Sequence, residues 1–118
     1  MFIKVLRAKI HRATVTAAEI DYVGSITIDP VLRKEAGIVL GDCVLVADLT
    51  NGKRFETYVI DCRPGSGEIC INGAAARLVN VQDQIIVMAW AYVTPEEAQT
   101  LRPTIVLVDQ ANKVTKKM

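Results

Sequence analysis

Three short segments and one lysine hold the side chains best suited to chemistry. The first segment is Tyr22-Val23-Gly24-Ser25. A serine hydroxyl can attack the carbonyl before it if the peptide is strained, and glycine permits dihedrals closed to other residues. The same Gly-Ser pair also makes an ordinary turn. The second segment is Arg54-Phe55-Glu56-Thr57-Tyr58. As a strand, its period of two puts Arg54, Glu56 and Tyr58 on one face and Phe55 and Thr57 on the other. Arginine grips carboxylates through paired N–H donors, and tyrosine can deliver a proton. A bend or bulge would let Thr57 join them, and a solvated strand with an Arg–Glu pair fits the same pattern. The third segment is Asn72-Gly73-Ala74-Ala75, whose small residues let backbone N–H groups approach a ligand, or simply form a tight turn. Lys9 is either a site cation or a solvated residue of an otherwise apolar strand.

Several chemistries are excluded by composition. His11 is the only histidine, so one chain cannot build a two-histidine metal site, and no metal is expected. Cys43, Cys62 and Cys70 lack CxxC spacing and are odd in number, which argues against a disulfide framework. All three are expected to be buried small hydrophobes. No phosphate-binding glycine loop is present. A net charge of +1 gives no general drive toward nucleic acid or an anionic membrane. Lys4, Arg7, Lys9 and Arg12 lack the aromatic interleaving of a nucleic-acid surface. No apolar run approaches the ~20 residues needed to span a bilayer, and no secretory signal is evident, so a cytoplasmic protein is expected.

The elements that must position these residues are short. With 118 residues, 51% hydrophobic and 23% charged, the chain is expected to form one domain, residues 1–118. Lys9 to Val15 alternates, with Ile10, Arg12 and Thr14 on one face. Ile26–Ile28 is a β-branched run. Asp29 as N-cap, Pro30 at the first position and Gly37 as C-cap predict a helix over Pro30–Ala36. Cys43–Leu49 and Arg54–Asp61 flank Asn51-Gly52, a type I′ hairpin signal. Glu68–Ile71 is a further strand, and Asn72–Ala76 predicts a turn into a short helical piece. Gln84–Val93 is a long apolar strand. Thr94-Pro95-Glu96-Glu97 carries a capping box that opens a second helix, Pro103 ends it, and Ile105–Val108 is the last strand. Lys113–Met118 reads as a loose basic tail. Six or so strands with two short helices predict a small, mainly β barrel. Ile85–Val93 is apolar on both faces, which asks for a partner to cover the outer one.

Taken together, the segments resemble a known family. Lys9-Ile10-His11-Arg12, Tyr22 through Asp29, Thr50 through Tyr58 and Ile71 through Ala76 match in order and spacing the pyruvoyl-dependent L-aspartate 1-decarboxylases. Thr94-Pro95-Glu96-Glu97-Ala98 and Arg102-Pro103 are similar too, and the likeness covers roughly residues 1–109. It implies a six-stranded double-psi β-barrel with short helices. It also implies self-cleavage between Gly24 and Ser25, giving a β chain 1–24 and an α chain 25–118. Ser25 would become a pyruvoyl group, which forms a Schiff base with L-aspartate and draws in the electrons released on decarboxylation. By the same resemblance Tyr58 protonates the carbanion, Arg54 and Lys9 hold the carboxylates, and Thr57 assists cleavage and contacts substrate. Asn72, Gly73, Ala74 and Ala75 line the pocket, with His11 and Tyr22 in supporting positions. The products are β-alanine, which feeds pantothenate and coenzyme A synthesis, and carbon dioxide. A homotetramer with sites at subunit interfaces is implied, as is an accessory processing protein in some relatives. Two departures stand out: Val23 replaces a frequent acidic residue, and Val81-Gln82-Asp83 replaces a Gly-Asp turn. A non-catalytic barrel module and a pyruvoyl decarboxylase of another amino acid are the alternatives. The two cations Lys9 and Arg54 favour a dicarboxylic substrate.

Overall fold

Alternation and turn chemistry account for most of the elements found in the computed structural model, which describes residues 1–118. The strands are β1 (Ile3–Thr14), β2 (Ala17–Glu19), β3 (Ser25–Ile28), β4 (Cys43–Asp48), β5 (Arg54–Ile60), β6 (Ile69–Asn72), β7 (Gln84–Val93), β8 (Thr104–Val108) and β9 (Val114–Lys117). Helix α1 (Pro30–Ala36) follows β3, a 3-10 helix (Gly73–Leu78) follows β6, and α2 (Pro95–Thr100) follows β7. Hydrogen-bonded neighbours run β2-β6-β3-β5-β4-β7-β1-β8-β9. The pairs β1–β8, β2–β6 and β3–β5 are parallel, and each parallel pair is reached by a crossover. Ile10, Ile26, Ile28, Val44, Val46, Val59, Ile71, Ile85 and Val87 meet in one apolar core. No helix is long and apolar enough to cross a membrane.

Both helices have the caps their sequences predict. The Asp29 carboxylate accepts from the N–H of Val31 and also from those of Gly65 and Gly67, so it ties α1 to the loop before β6. Burial opposes its ionisation, but these backbone donors and nearby Lys113 outweigh that and hold its pKa below the ordinary value. Gly37 takes φ 75° at the C-cap, and Thr94 and Glu97 close the capping box of α2.

Several expectations are corrected. The alternation of β1 breaks at Arg12, which has φ 65° at a bulge between His11 and Ala13. The extra residue swaps the faces, so Ile10, Ala13 and Val15 are all buried. The Asn51-Gly52 turn is not type I′, because only Gly52 has positive φ. A four-residue loop is closed instead by Asp48, whose N–H donates to Lys53 O and whose O accepts from Gly52. Gln82 takes φ 79°, the glycine-like conformation that a Gly-Asp turn would supply more cheaply.

Two strands, β2 and β9, were not foreseen. The tail is not loose: β9 pairs antiparallel with β8. Buried Asn112 anchors it, bonding both the N–H and the O of Thr14 and the O of Gly67. Lys113 Nζ donates to Gly65 O at 2.7 Å, and Lys117 pairs with Glu35 at 3.7 Å. Among the cysteines only Cys70 is buried, while Cys43 is exposed and Cys62 half-buried. The N-terminal basic residues are used internally. Lys4 lies over the Trp90 ring, Arg7 binds Asp42 at 2.6 Å, and Arg12 bonds Gln84.

Candidate active site

Strand pairing decides which of the candidate residues meet. In the antiparallel pair β3–β6, Ser25 stands opposite Asn72 and Thr27 opposite Cys70. Ile26 and Ile28 point to the core, so by alternation Ser25 and Thr27 share the other face. There the Asn72 amide forks: Nδ2 donates to Ser25 Oγ at 2.9 Å and to Thr27 Oγ1 at 3.1 Å. Its Oδ1 accepts from Cys70 Sγ at 3.2 Å. The cluster is shielded from water, with Ser25 1% and Asn72 3% exposed. The Ser25 hydroxyl reaches back to Val23 O at 3.4 Å, the outer limit of a hydrogen bond.

Gly73 completes this arrangement. Its φ is +76°, and a Cβ there would sit 2.7 Å from Gly24 Cα and 2.9 Å from Gly24 N. The turn into the 3-10 helix therefore runs close against the Gly24 backbone and Tyr22 O, an approach that a side chain would block. At Gly24 itself a Cβ would meet nothing within 4 Å. Val23 and Tyr22 are exposed, so the chain enters the cluster from solvent.

Tyr58 is brought alongside through β5. The parallel pair β3–β5 aligns Ile26 with Val59, so one step back Ser25 adjoins Tyr58. Val59 is in the core, which places Tyr58 on the same outward face as Ser25. Tyr58 is 43% exposed and Arg54, on the same face, is exposed as well. The β4–β5 register runs without a bulge, so Thr57 stays on the core-side face with Phe55. Lys9 and His11 lie on β1, separated from β5 by β7 and β4 in the sheet order. His11 Nδ1 is buried without a partner, and burial, then Lys9, then Arg12 lower its pKa. Ala74 is exposed, and Ala75 packs against the core.

One chain thus unites Tyr22, Gly24, Ser25, Asn72, Gly73 and the edge carrying Tyr58. It does not unite them with Lys9, His11 or Thr57 by any hydrogen bond. Two members of the cluster, Thr27 and Cys70, were missed in the sequence. Thr27 lies two residues from Ser25 on one strand face, a signal that was legible. Cys70 becomes visible only through the β3–β6 register. The two cavities lie elsewhere: one of about 400 Å³ beside Leu32, Glu35 and Lys113, and one of about 300 Å³ beside Lys4, Glu56 and Trp90.

Comparison with known proteins agrees with this architecture. The crystal structure of the rationally designed mkDPBB_sym_86 protein superposes with TM-score 0.51 at 20% identity, covering 67% of this chain and 92% of that one. The likeness concerns the fold alone, and the chain is a double-psi β-barrel. The aspartate decarboxylase family model matches residues 1–115. A curated aspartate 1-decarboxylase of Caldicellulosiruptor bescii is 58% identical over 98% of this chain and 91% of its own length. Those of Lactiplantibacillus plantarum and Ruminiclostridium cellulolyticum are 52% and 54% identical, over 100% and 99% of this chain and 91% of each relative. The chain belongs to the aspartate decarboxylase family, a family of enzymes, which sets aside the non-catalytic module.

Proposed function

We propose that the chain cleaves itself at Gly24–Ser25 and then decarboxylates L-aspartate to β-alanine and carbon dioxide, the β-alanine serving pantothenate synthesis. The observation that carries this is the buried Ser25 hydroxyl, held by Asn72 Nδ2 next to a glycine whose backbone Gly73 closely approaches. In the first step Ser25 Oγ attacks the Gly24 carbonyl carbon. The Gly24–Ser25 C–N bond breaks, the nitrogen takes the proton, and an ester replaces the peptide. Elimination then frees a carboxylate on Gly24 and leaves dehydroalanine at position 25. Water enters and ammonia leaves, and the new N-terminus carries a pyruvoyl group.

The residues present fit that group. A carbonyl oxygen only accepts hydrogen bonds, and Asn72 Nδ2, which donates to Ser25 Oγ, is suited to donate to such an oxygen. A pyruvoyl group supplies an electron-withdrawing carbonyl, the sink that a departing α-carboxylate requires. The Arg54 guanidinium binds one substrate carboxylate through two N–H donors, and Lys9 offers a second cation. Tyr58 delivers the proton that replaces the lost carboxylate. The backbone of Gly73, Ala74 and Ala75, with Asn72, forms the wall beside Gly24.

Lys9 and His11 take part only if a second subunit brings them to Ser25, so we place the site between chains of a homotetramer. Supporting this, neither cavity is lined by Ser25, and Ile20, Tyr22 and Val23 beside the cleavage point are exposed apolar groups. An accessory protein that promotes processing would act on this exposed segment. The experiment is intact mass of the purified protein, followed by incubation with L-aspartate. Fragments 1–24 and 25–118 and release of β-alanine are expected. A single uncleaved mass with no β-alanine would overturn the proposal.

A further inference from the structure

The Asn72 amide is nearly symmetric in shape, so its hydrogen-bond partners decide which end faces Ser25. Two of those partners do not discriminate. The Thr27 hydroxyl can donate or accept, and the Ser25 hydroxyl, whose contact with Val23 O lies at the 3.4 Å limit, can turn to do the same, so either end of the amide would satisfy them. The third partner does discriminate. A protonated thiol donates through S–H, and its sulfur accepts only weakly. With Cys70 Sγ 3.2 Å from Oδ1, the nitrogen end is committed to Ser25 and Thr27.

We infer that Cys70 is a positioning residue for self-cleavage: its thiol holds the Asn72 amide with Nδ2 toward Ser25 Oγ. This rests on the cleavage proposed above. Cys70 is 4% exposed, and burial, with smaller contributions from Glu68 and Glu19, pushes its thiol up to about 11. It therefore remains an S–H donor at neutral pH. An N–H aimed at Oγ fixes the position of the nucleophile and stabilises the negative charge that grows as its proton leaves. A reversed amide would set Oδ1 against Oγ. It would then take the Ser25 proton into a stable hydrogen bond and offer no stabilisation of that charge. Cys70 touches neither Gly24 nor substrate and acts only through Asn72.

The test is the rate of cleavage in freshly translated chains, followed by intact mass. Cys70→Val keeps an apolar side chain of similar size and removes the donor. Cys70→Ser restores a donor but is smaller and more polar. Cys70→Val is expected to cleave roughly tenfold more slowly than the natural chain, and Cys70→Ser to recover most of the rate. If thermal melting shows that Cys70→Val does not fold, Cys70→Ala takes its place in the same comparison. Wild-type speed without the donor overturns the inference. So does a serine variant as slow as valine, since packing would then be the cause. If the natural chain itself stays whole, the cleavage proposal fails and this one with it. A natural chain that cleaves beside a valine variant that keeps pace removes Cys70 alone.

Discussion

At the scale of single residues, the site rests on a few groups with separable duties. Ser25 carries the only hydroxyl next to Gly24 in the chain, so Ser25→Ala should fold, remain whole and yield no β-alanine. Two fragments from that variant on a denaturing gel would remove Ser25 from its role. Tyr58 stands on the outward face of β5 beside Ser25 but makes no hydrogen bond with the Asn72 fork. Tyr58→Phe should therefore still cleave but lose ~10²–10⁴-fold in decarboxylation, the usual contribution of a general acid. Near-normal turnover would assign the proton to another group. Gly73 is constrained twice, by φ +76° and by contact with the Gly24 backbone. Gly73→Ala should lower stability by ~1–3 kcal/mol and slow cleavage, because the neighbour in its way is main chain and cannot turn aside. A melt and an intact-mass time course read both effects. Ser25 and Asn72 were legible as candidate residue types, but their 2.9 Å contact joins positions 47 apart in sequence.

At the scale of elements, turns and caps do most of the positioning. The β4–β5 loop begins at Asp48, which is buried and adjoins the Asp83 carboxyl ahead of β7. Burial first, and the Asp83 contact second, raise the Asp48 pKa above 3.8, while Asp83 is lowered by its bond to Asp48. One shared proton satisfies both, and Asp48 Oδ2 has no other partner. The folded state therefore binds this proton more tightly than the unfolded chain. Its stabilisation is complete below pH 3.8 and is lost as pH rises through the folded pKa of Asp48. Asn mimics the protonated acid, so Asp48→Asn should leave stability unchanged or higher at pH 7, by about 1 kcal/mol at most. The gain should vanish at low pH, as melting temperatures across pH would show. A clear loss at pH 7 would mean that both carboxyls are needed as charges. Helices α1 and α2 were legible because caps are local signals. Strand β9 was not, because Lys113, Lys116 and Lys117 hide a strand whose order comes from Asn112 and β8.

At the scale of the whole molecule, the double-psi β-barrel leaves work for a neighbour. Along β7, Ile85, Val87 and Ala89 are buried, whereas Ile86, Met88 and Trp90 are only partly covered by their own chain. Lys9 and Arg54 lie on strands separated by two others. The working enzyme is expected to be a homotetramer by light scattering, and its activity per chain should fall on dilution below the dissociation range. A monomer with full activity per chain would refute the shared site while leaving the chemistry of Ser25 intact.

By itself the sequence determined the barrel class, the helix limits, the Gly24–Ser25 pair and the family, because these rest on residue type, short spacing and local caps. Tertiary structure alone decided that Cys70 and Thr27 flank Asn72, that Tyr58 comes beside Ser25, and that Gly73 approaches Gly24. Each of these depends on which strands lie side by side and in what register. A shift of one residue reverses every face, and no local pattern encodes it.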